Sequence, residues 1–217
     1  LLAGNSYVNT ETTTSVSMSG WTQEAEAHEP LLPKGLLTYL ENHAGRVASG
    51  TIKVGDKVTV LPSYTESTVS RIDEGTKQID EAQAPQSISI SLADDVDVSR
   101  GSQIVKSNEL PHVGQQVDLM VCWLNHRPLQ LRQKYIIRHA TDEVQGLVTA
   151  VEYKVNINTL ENVSDDQKIN MNDIAKITLK VSKPLAYDLY ANNRTTGSLI
   201  FVDEGTNETV GAGMIVE

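Results

Sequence analysis

The sequence predicts an all-β protein built from two consecutive antiparallel β-barrels. Hydrophobic residues make up 39 % of the chain but aromatic residues only 5 %, so the core must consist mostly of Val, Ile and Leu, which favour strands. Short segments in which apolar and polar residues alternate recur from residue 44 to the end. Turn residues separate these segments closely, as is typical of small barrels.

Residues 1–42 differ from the rest of the chain. Residues 1–30 include a stretch rich in Thr, Ser and Glu that shows little periodicity, and we expect them to be loop. A short helix is predicted over residues 34–41, where Leu36, Leu37 and Leu40 share one face. Because the chain does not begin with Met, we expect it to start inside a longer protein.

The first barrel is predicted over residues 43–107. Gly55-Asp56 supplies the backbone conformation of a tight hairpin turn between two strands. The segment 86–94 alternates almost strictly, with Ile and Leu on one side and Ser on the other. Residues 43–63 are predicted to form three strands, separated by Gly50 and by the Gly55-Asp56 turn, and further strands are predicted at 67–72 and 99–106.

The second barrel is predicted over residues 108–217, after a polar stretch that contains Pro111 and Gly114. A single helical turn is expected within residues 158–162. Six strands are predicted, at residues 116–124, 133–140, 144–156, 173–186, 197–204 and 208–217.

The sequence predicts no catalytic, cofactor-binding or metal-binding residue. It contains neither a GxxxxGK[ST] phosphate loop nor a GxGxxG motif, and its histidines and single cysteine lack the spacing of metal ligands. Cys122 is expected to be a small buried residue in a strand, and a lone cysteine suits a reducing compartment. Gly211-Ala212-Gly213 indicates a closely packed strand. The acidic run 94–97 lacks the spacing of a calcium loop and is expected to cap a turn.

A candidate partner interface lies in the polar and aromatic stretch 187–198. It contains Asp188, Tyr190, Asn192 and Arg194, and Tyr and Arg are residue types that interfaces favour. The alternative is that Arg194 ties its own loop together. Arg127, in the loop 124–133, is a second candidate for the interface.

The formal net charge of −10 makes nucleic acid and anionic membranes unfavourable partners, because both carry the same sign of charge. No apolar run approaches the roughly 20 residues of a membrane-spanning helix.

Several motifs resemble the large, GTPase subunit of sulfate adenylyltransferase, a member of the translation-factor GTPase superfamily. They are "VASGTIKVGDKVTVLPS", "STVSRI", "DVDVSRG", "VCWLNHRPLQ", "VEYKVNINTLE" and "PLAYDLYANNRTTGSLIFVDEGTNETVGAGMI". The resemblance covers residues 44–217 well and residues 1–41 weakly. It implies barrels of the kind found in domains II and III of elongation factor Tu.

The resemblance also implies a function for the parent protein. In that family the large subunit binds GTP and Mg²⁺ through a separate GTP-binding domain and hydrolyses the GTP. A catalytic adenylyltransferase subunit uses ATP and sulfate to form adenosine 5′-phosphosulfate in the cytoplasm. The two barrels would be the scaffold that docks this partner in a heterodimer or a larger assembly. The motifs of the GTP-binding domain are not in this sequence, so no site residue is carried over.

One departure from the family affects the first barrel. The strand that normally precedes "AGRVASG" is not visible, since "LLTYLEN" runs directly into "HAGRVASG". The resemblance therefore predicts unpaired strand edges in this barrel.

Two other functions fit an all-β chain. The barrels could belong to another translation-type GTPase and bind RNA, the ribosome or a protein, although the acidic charge opposes RNA binding. A barrel module unconnected with GTPases is the third hypothesis.

Overall fold

The described part of the chain consists of strands joined by turns and loops. The computed structural model describes residues 15–17 and 42–216. No helix occurs in these ranges that is long and apolar enough to cross a membrane. The helix predicted over 34–41 lies outside the described residues. The strands are β1 Ser15–Ser17, β2 Asn42–Ser49, β3 Thr51–Lys53, β4 Lys57–Leu61, β5 Thr65–Glu74, β6 Lys77–Ile79, β7 Glu81–Gln83, β8 Ser87–Leu92, β9 Gln103–Lys106, β10 His112–Trp123, β11 Lys134–His139, β12 Asp142–Val155, β13 Asn162–Val163, β14 Ile174–Tyr187, β15 Ser198–Val202 and β16 Thr209–Ile215.

The chain forms two compact units. The first contains the described residues up to Leu110 together with Arg138–Val144, and the second contains Pro111–Ile137 and the residues from Gln145 onward. Each unit has a seven-stranded sheet in which one further pairing joins distant strands into a ring. The predicted all-β class with two antiparallel barrels is therefore confirmed.

In the first barrel the strand order is β4-β9-β1-β2-β8-β5, and pairing of β4 with β5 closes the ring. The strand β6 extends the sheet beyond β5, while β3 and β7 form a separate two-stranded ribbon. The alternation predicted for β8 holds in its first four residues, where Ile88 and Ile90 are buried and Ser87 is exposed. It fails at Ser91, which was predicted on the outer side but is buried. The buried core consists of aliphatic residues, including Val47, Ile52, Val58, Val60, Val69, Ile72, Ile88, Ile90 and Ile104.

Four short strands, β1, β6, β7 and β13, are not predicted from the sequence, and the one that completes the first barrel is β1. It lies between β2 and β9, and Val16 is opposite both Val47 and Ile104. The expectations of a loop at this point and of unpaired edges in the barrel are therefore wrong. The segment is polar, and its strand conformation comes from ladders on both sides rather than from local sequence preference.

The turn at Gly55 forms, but the hairpin expected around it does not. Gly55 has a φ of +91°, and Asp56 N donates to the carbonyl of Lys53 over 3.2 Å. The flanking strands do not pair with each other, since β3 pairs with β7 and β4 pairs with β5 and β9. Turn chemistry alone does not determine which strands become neighbours.

In the second barrel the strand order is β11-β15-β16-β10-β14-β12, and pairing of β11 with β12 closes the ring. The closely packed strand predicted at 211–213 is present in β16. A Cβ added at Gly211 would lie 2.9 Å from the Trp123 ring, and one at Gly213 would lie 2.9 Å from Leu119. Small residues here let large core side chains of the neighbouring strands approach the backbone.

Two local predictions for the second barrel need correction. Cys122 lies in β10 as expected, but it is half-buried rather than buried. The segment 158–162 forms a turn and the start of β13 instead of a helical turn. Leu160 has a φ of +60° there, which is outside the right-handed helical region.

Candidate functional site

A buried carboxylate organises the loop between β14 and β15. Asp188 directly follows β14 and is only 6 % exposed. The hydroxyl of Thr196 and the Nδ2 of Asn193 both donate hydrogen bonds to its Oδ2. Hydrogen bonds to a charged acceptor are stronger than those between neutral groups, so this carboxylate fixes both ends of the loop.

The backbone of the loop folds tightly around this centre. Asn193 N donates to the carbonyl of Leu189 over 3.0 Å, and Gly197 N donates to the carbonyl of Asn193 over 2.8 Å. A Cβ at Gly197 would lie 2.5 Å from the Cα of Tyr190. Tyr190 N also donates to the carbonyl of Ile215, which attaches the loop to β16.

This framework holds three of the predicted interface residues. The guanidinium of Arg194 lies 5.9 Å from the centre of the Tyr190 ring, a distance at which cations and aromatic rings attract each other. Arg194 and Asn192 are exposed and Tyr190 is half-buried.

Asp188 has a different position from the other three residues. Because it is buried, it supports the loop instead of lying on its surface. The side chain that joins the ends of this loop is thus Asp188, whereas Arg194 contributes its carbonyl, which accepts a hydrogen bond from Ser198.

The structure does not bring Arg127 to this loop. Arg127 is exposed in the connection between β10 and β11, where its carbonyl accepts a 2.7 Å hydrogen bond from the indole of Trp123. In the same connection, Leu124 N donates a hydrogen bond to the carbonyl of Val210 at the start of β16. The 188–197 loop is attached to the other end of β16, where Tyr190 N donates to the carbonyl of Ile215. The predicted residues therefore occupy two separate places on the second barrel.

An open depression of about 340 Å³ adjoins Arg127. Its lining comes from two separate chain segments, 123–135 and 203–210, which is why sequence reasoning missed it. Trp123 and Tyr135 form its buried aromatic base, and their rings meet edge to face at 5.6 Å. The polar side chains of its lining include Arg127, Gln133, Asp203 and Glu208.

Two titratable groups of this depression have shifted pKa values, and the cause of each shift is structural. The backbone N–H of Thr206 is the main reason why the pKa of Asp203 is lowered, and the charge of Arg127 adds to it. Burial raises the pKa of Tyr135. Asp203 is thus an ionised turn cap and Tyr135 a neutral phenol, and the depression holds no nucleophile paired with a base.

The acidic run 94–97 does not show the turn cap expected of it, because Asp94 bonds instead to Ser67 in the distant strand β5. The hydroxyl of Ser67 donates to the Asp94 carboxylate over 2.8 Å, and Asp94 N donates back to the same hydroxyl. Within residues 15–17 and 42–216, no group of three or more His, Cys, Asp or Glu side chains is placed to hold a metal ion.

Known proteins resemble the chain at the level of both sequence and fold. Residues 116–216 match the family model "GTP-eEF1A C-terminal domain-like". Two solved structures of sup35, complexed with GDP and with GMPPNP, have TM-scores of 0.75 and 0.76. They are 15 % and 16 % identical to this chain, and each alignment covers 95 % of it and 48 % or 47 % of the sup35 chain. At this identity the likeness shows the fold.

Curated relatives are much closer in sequence. Sulfate adenylyltransferase subunit 1 of Aliarcobacter butzleri is 42 % identical over 79 % of this chain and 36 % of its own length. The same subunit of Alteromonas mediterranea is 38 % identical over 80 % of this chain and 37 % of its length. The bifunctional enzyme CysN/CysC of Rhodopirellula baltica is 39 % identical over 80 % and 27 % respectively. The chain thus spans about a third of the length of these relatives. Together these matches confirm the resemblance found in the motifs: over about four fifths of its length the chain is similar to sulfate adenylyltransferase subunit 1 and to CysN/CysC.

Proposed function

We propose that this chain is the two-barrel body of the GTPase subunit of a sulfate adenylyltransferase. In this proposal residues 1–42 lead out of a GTP-binding domain and also supply β1 to domain II, residues 43–107 form the rest of domain II, and residues 108–217 form domain III. The observation that carries the proposal is the 38–42 % identity over about four fifths of the chain to proteins named sulfate adenylyltransferase subunit 1.

The proposed parent protein couples GTP hydrolysis to the formation of adenosine 5′-phosphosulfate from ATP and sulfate in the cytoplasm. GTP and Mg²⁺ belong to the GTP-binding domain, whose motifs are not in this sequence. The barrels contribute a rigid support, since their strands are joined into rings with aliphatic cores. Movement of a GTP-binding domain against such a support is a common way to transmit a nucleotide state.

The catalytic adenylyltransferase subunit is the partner in this proposal. We infer that it docks on the exposed face of the 188–197 loop, where Tyr190, Asn192 and Arg194 lie on a framework ordered by Asp188. A preordered loop loses little conformational entropy on binding. Arg127, on a separate part of the same barrel, is a second proposed contact.

The full-length parent protein tests this function. We expect it to bind the purified adenylyltransferase subunit and to make pyrophosphate formation from ATP and sulfate depend on GTP. Arg194→Ala should weaken the complex, because Arg at an interface often contributes strongly to affinity. Lys183→Ala, which removes an exposed cation from β14, is the matched control. Absence of binding by the unaltered protein would overturn the proposal.

The second candidate function is an RNA-binding or ribosome-binding module of another translation-type GTPase. The fold shared with sup35 is the observation in its favour. This candidate requires RNA affinity that falls steeply with salt concentration. A filter-binding titration at two salt concentrations would distinguish it from the first, which requires no RNA binding.

A further inference from the structure

A continuous exposed segment of the second barrel carries large apolar side chains. Every residue from Asn156 to Lys168, between β12 and β14, is exposed, and we call this segment the 156–168 loop. Ile157 is 64 % exposed, Leu160 77 % and Val163 37 %. Apolar side chains grouped at one exposed place are a feature of interaction surfaces.

Hydrogen bonds give the 156–168 loop a defined shape. Leu160 N donates to the carbonyl of Asn156 over 2.7 Å, and Asn156 N donates to the carbonyl of Glu161 over 2.9 Å. The side chain of Asn156 accepts from the backbone N–H of Asn158. Beyond this turn β13 pairs with the end of β12, so that Val163 lies opposite Lys154. The apolar side chains are therefore held on an ordered backbone.

Ion pairs fasten the base of the loop to the barrel. The Nζ of Lys154 lies 2.8 Å from the carboxylates of both Asp166 and Asp173. It also donates to the carbonyl of Lys168 over 3.0 Å. Only 14 % of the Lys154 side chain is exposed, so its charge acts mainly on the carboxylates of Asp166 and Asp173.

Leu160 has a backbone conformation that leucine does not favour. Its φ of +60° is unfavourable for a residue with a branched side chain, and Asn or Gly would adopt it more readily. Its side chain is also the most exposed of the large hydrophobic residues in the described ranges. The leucine therefore gains little from packing within its own barrel, which indicates a contact with another molecule.

Other exposed apolar residues lie at the same end of the barrel. Val155, at the end of β12, and Cys122, near the end of β10, are both opposite Ile174 in β14. Leu124 and Met171 flank the hydrogen bond from Asn172 N to the carbonyl of Trp123 at this end. They are 44 % and 40 % exposed. The apolar surface thus extends beyond the 156–168 loop.

The charges of the loop determine which partner fits. The 156–168 loop contains three carboxylates, Glu161, Asp165 and Asp166, and a single cation, Lys168. Since Asp166 is paired with Lys154, the uncompensated charge beside the apolar side chains is negative. A second copy would present the same negative charge, and an anionic membrane would repel the loop. The complementary surface is an apolar groove bordered by Lys or Arg.

We propose that the 156–168 loop is a docking element that inserts Leu160 and Ile157 into a basic-bordered apolar groove of the adenylyltransferase subunit. This inference rests on the proposed function for the identity of the partner. It adds an apolar anchor to the polar contacts proposed at the 188–197 loop.

The test uses the full-length parent protein and the purified adenylyltransferase subunit in a calorimetric titration. Leu160→Asn keeps a residue that tolerates positive φ, so the loop retains its shape. We expect it to weaken binding about tenfold or more, as loss of an interface anchor does, without lowering the melting temperature. Met214→Gln, which alters an apolar residue that is 38 % exposed in β16 and lies outside the 156–168 loop, should change the affinity less than about twofold.

The outcomes separate this inference from the function on which it rests. If the unaltered protein binds the subunit and Leu160→Asn binds equally well, the docking element is refuted while the proposed function stands. If the unaltered protein does not bind, the proposed function fails and the inference fails with it. Sedimentation that shows Leu160-dependent self-association, or Leu160-dependent binding to vesicles of zwitterionic and anionic lipid, would also overturn the inference by assigning the loop another partner.

Discussion

The Nδ2 of Asn193 lies 3.1 Å from the Oδ2 of Asp188, and both residues are buried in a loop that has little apolar core of its own. The hydroxyl of Thr196 donates to the same oxygen. The shape of the candidate interface therefore depends on a polar centre and not on hydrophobic packing.

Removing this carboxylate should unfold the loop or weaken the barrel. We expect Asp188→Ala to lower the free energy of unfolding by about 2–4 kcal/mol, because two hydrogen bonds to a buried charge are lost. Thr196→Val, which removes one of these donors, should cost about 1–2 kcal/mol. Urea denaturation followed by tryptophan fluorescence measures both. Equal stability of Asp188→Ala and the unaltered protein would contradict this role of the carboxylate.

The contact between Gly197 and Tyr190 permits a second prediction. A methyl group at residue 197 would meet backbone atoms of Tyr190 and Asn193 within 2.6 Å, and backbone cannot move aside as a side-chain end can. Gly197→Ala should therefore destabilise the protein by about 3 kcal/mol. Gly205→Ala is the matched control, since its nearest neighbour is a side-chain oxygen of Asp203 at 3.4 Å. A thermal shift as small for Gly197→Ala as for this control would refute the close packing.

At Gly75, in the turn between β5 and β6, the cost of positive φ in the free energy of unfolding can be measured without any steric overlap. Its φ is +61°, and an added Cβ would have no atom within 4 Å. Gly75→Ala should cost about 1 kcal/mol through backbone conformation alone, and Gly75→Asn should cost less because Asn tolerates this region better. The order of the two urea midpoints is the measurement. If the Gly75→Asn variant were less stable than Gly75→Ala, the positive φ would not be the cause of the destabilisation.

The ion pairs at the base of the 156–168 loop predict a pH dependence. The hydrogen bond from Lys154 is the largest cause that lowers the pKa of Asp166 below its ordinary value of 3.8, and the backbone N–H of Lys168 adds to it. Burial would lower the pKa of Lys154, but its bonds to Asp166 and Asp173 outweigh this and raise it above 10.5.

The sign of each contribution follows from these directions. The lowered pKa of Asp166 stabilises the fold fully above pH 3.8, and this stabilisation is lost as the pH falls through the lowered value. The raised pKa of Lys154 stabilises the fold below pH 10.5, and this contribution is lost as the pH rises through the raised value.

Carboxyl ¹³C chemical shifts measured against pH test this arrangement. In Lys154→Met the midpoint of Asp166 should move up toward 3.8. The pKa of Asp203, which is lowered mainly by the N–H of Thr206, should not change in the same variant. If the titration midpoint of Asp166 were the same in Lys154→Met as in the unaltered protein, Lys154 would not fasten the loop.

The part of the fold that could be predicted is the part with a repeating pattern. Ile88 and Ile90 alternate with serines, and this alternation predicted the strand that the structure shows as β8. The strands β6 and β7 lack such alternation, and their short polar segments pair only because neighbouring strands offer partners. Gly55 revealed a turn but not which strands it separates, since that choice is made by contacts far away in the sequence.

The candidate site shows the same limit. A dense run of polar and aromatic residues drew attention to Tyr190 and Arg194, and the structure places the Arg194 guanidinium 5.9 Å from the centre of the Tyr190 ring. Composition does not indicate burial, so Asp188 could not be recognised as the centre of the loop. Nor could the sequence indicate that Leu160 is held at positive φ, because that conformation arises from the turn around Asn156.

The three residues of β1 determine whether the sheet of the first barrel has open edges. Ser15–Ser17 satisfy the backbone groups of β2 on one side and of β9 on the other. A shortened version of the protein that begins after Ser17 would carry two open ladders, and such edges recruit strands from other molecules. This small segment therefore protects the protein from aggregation.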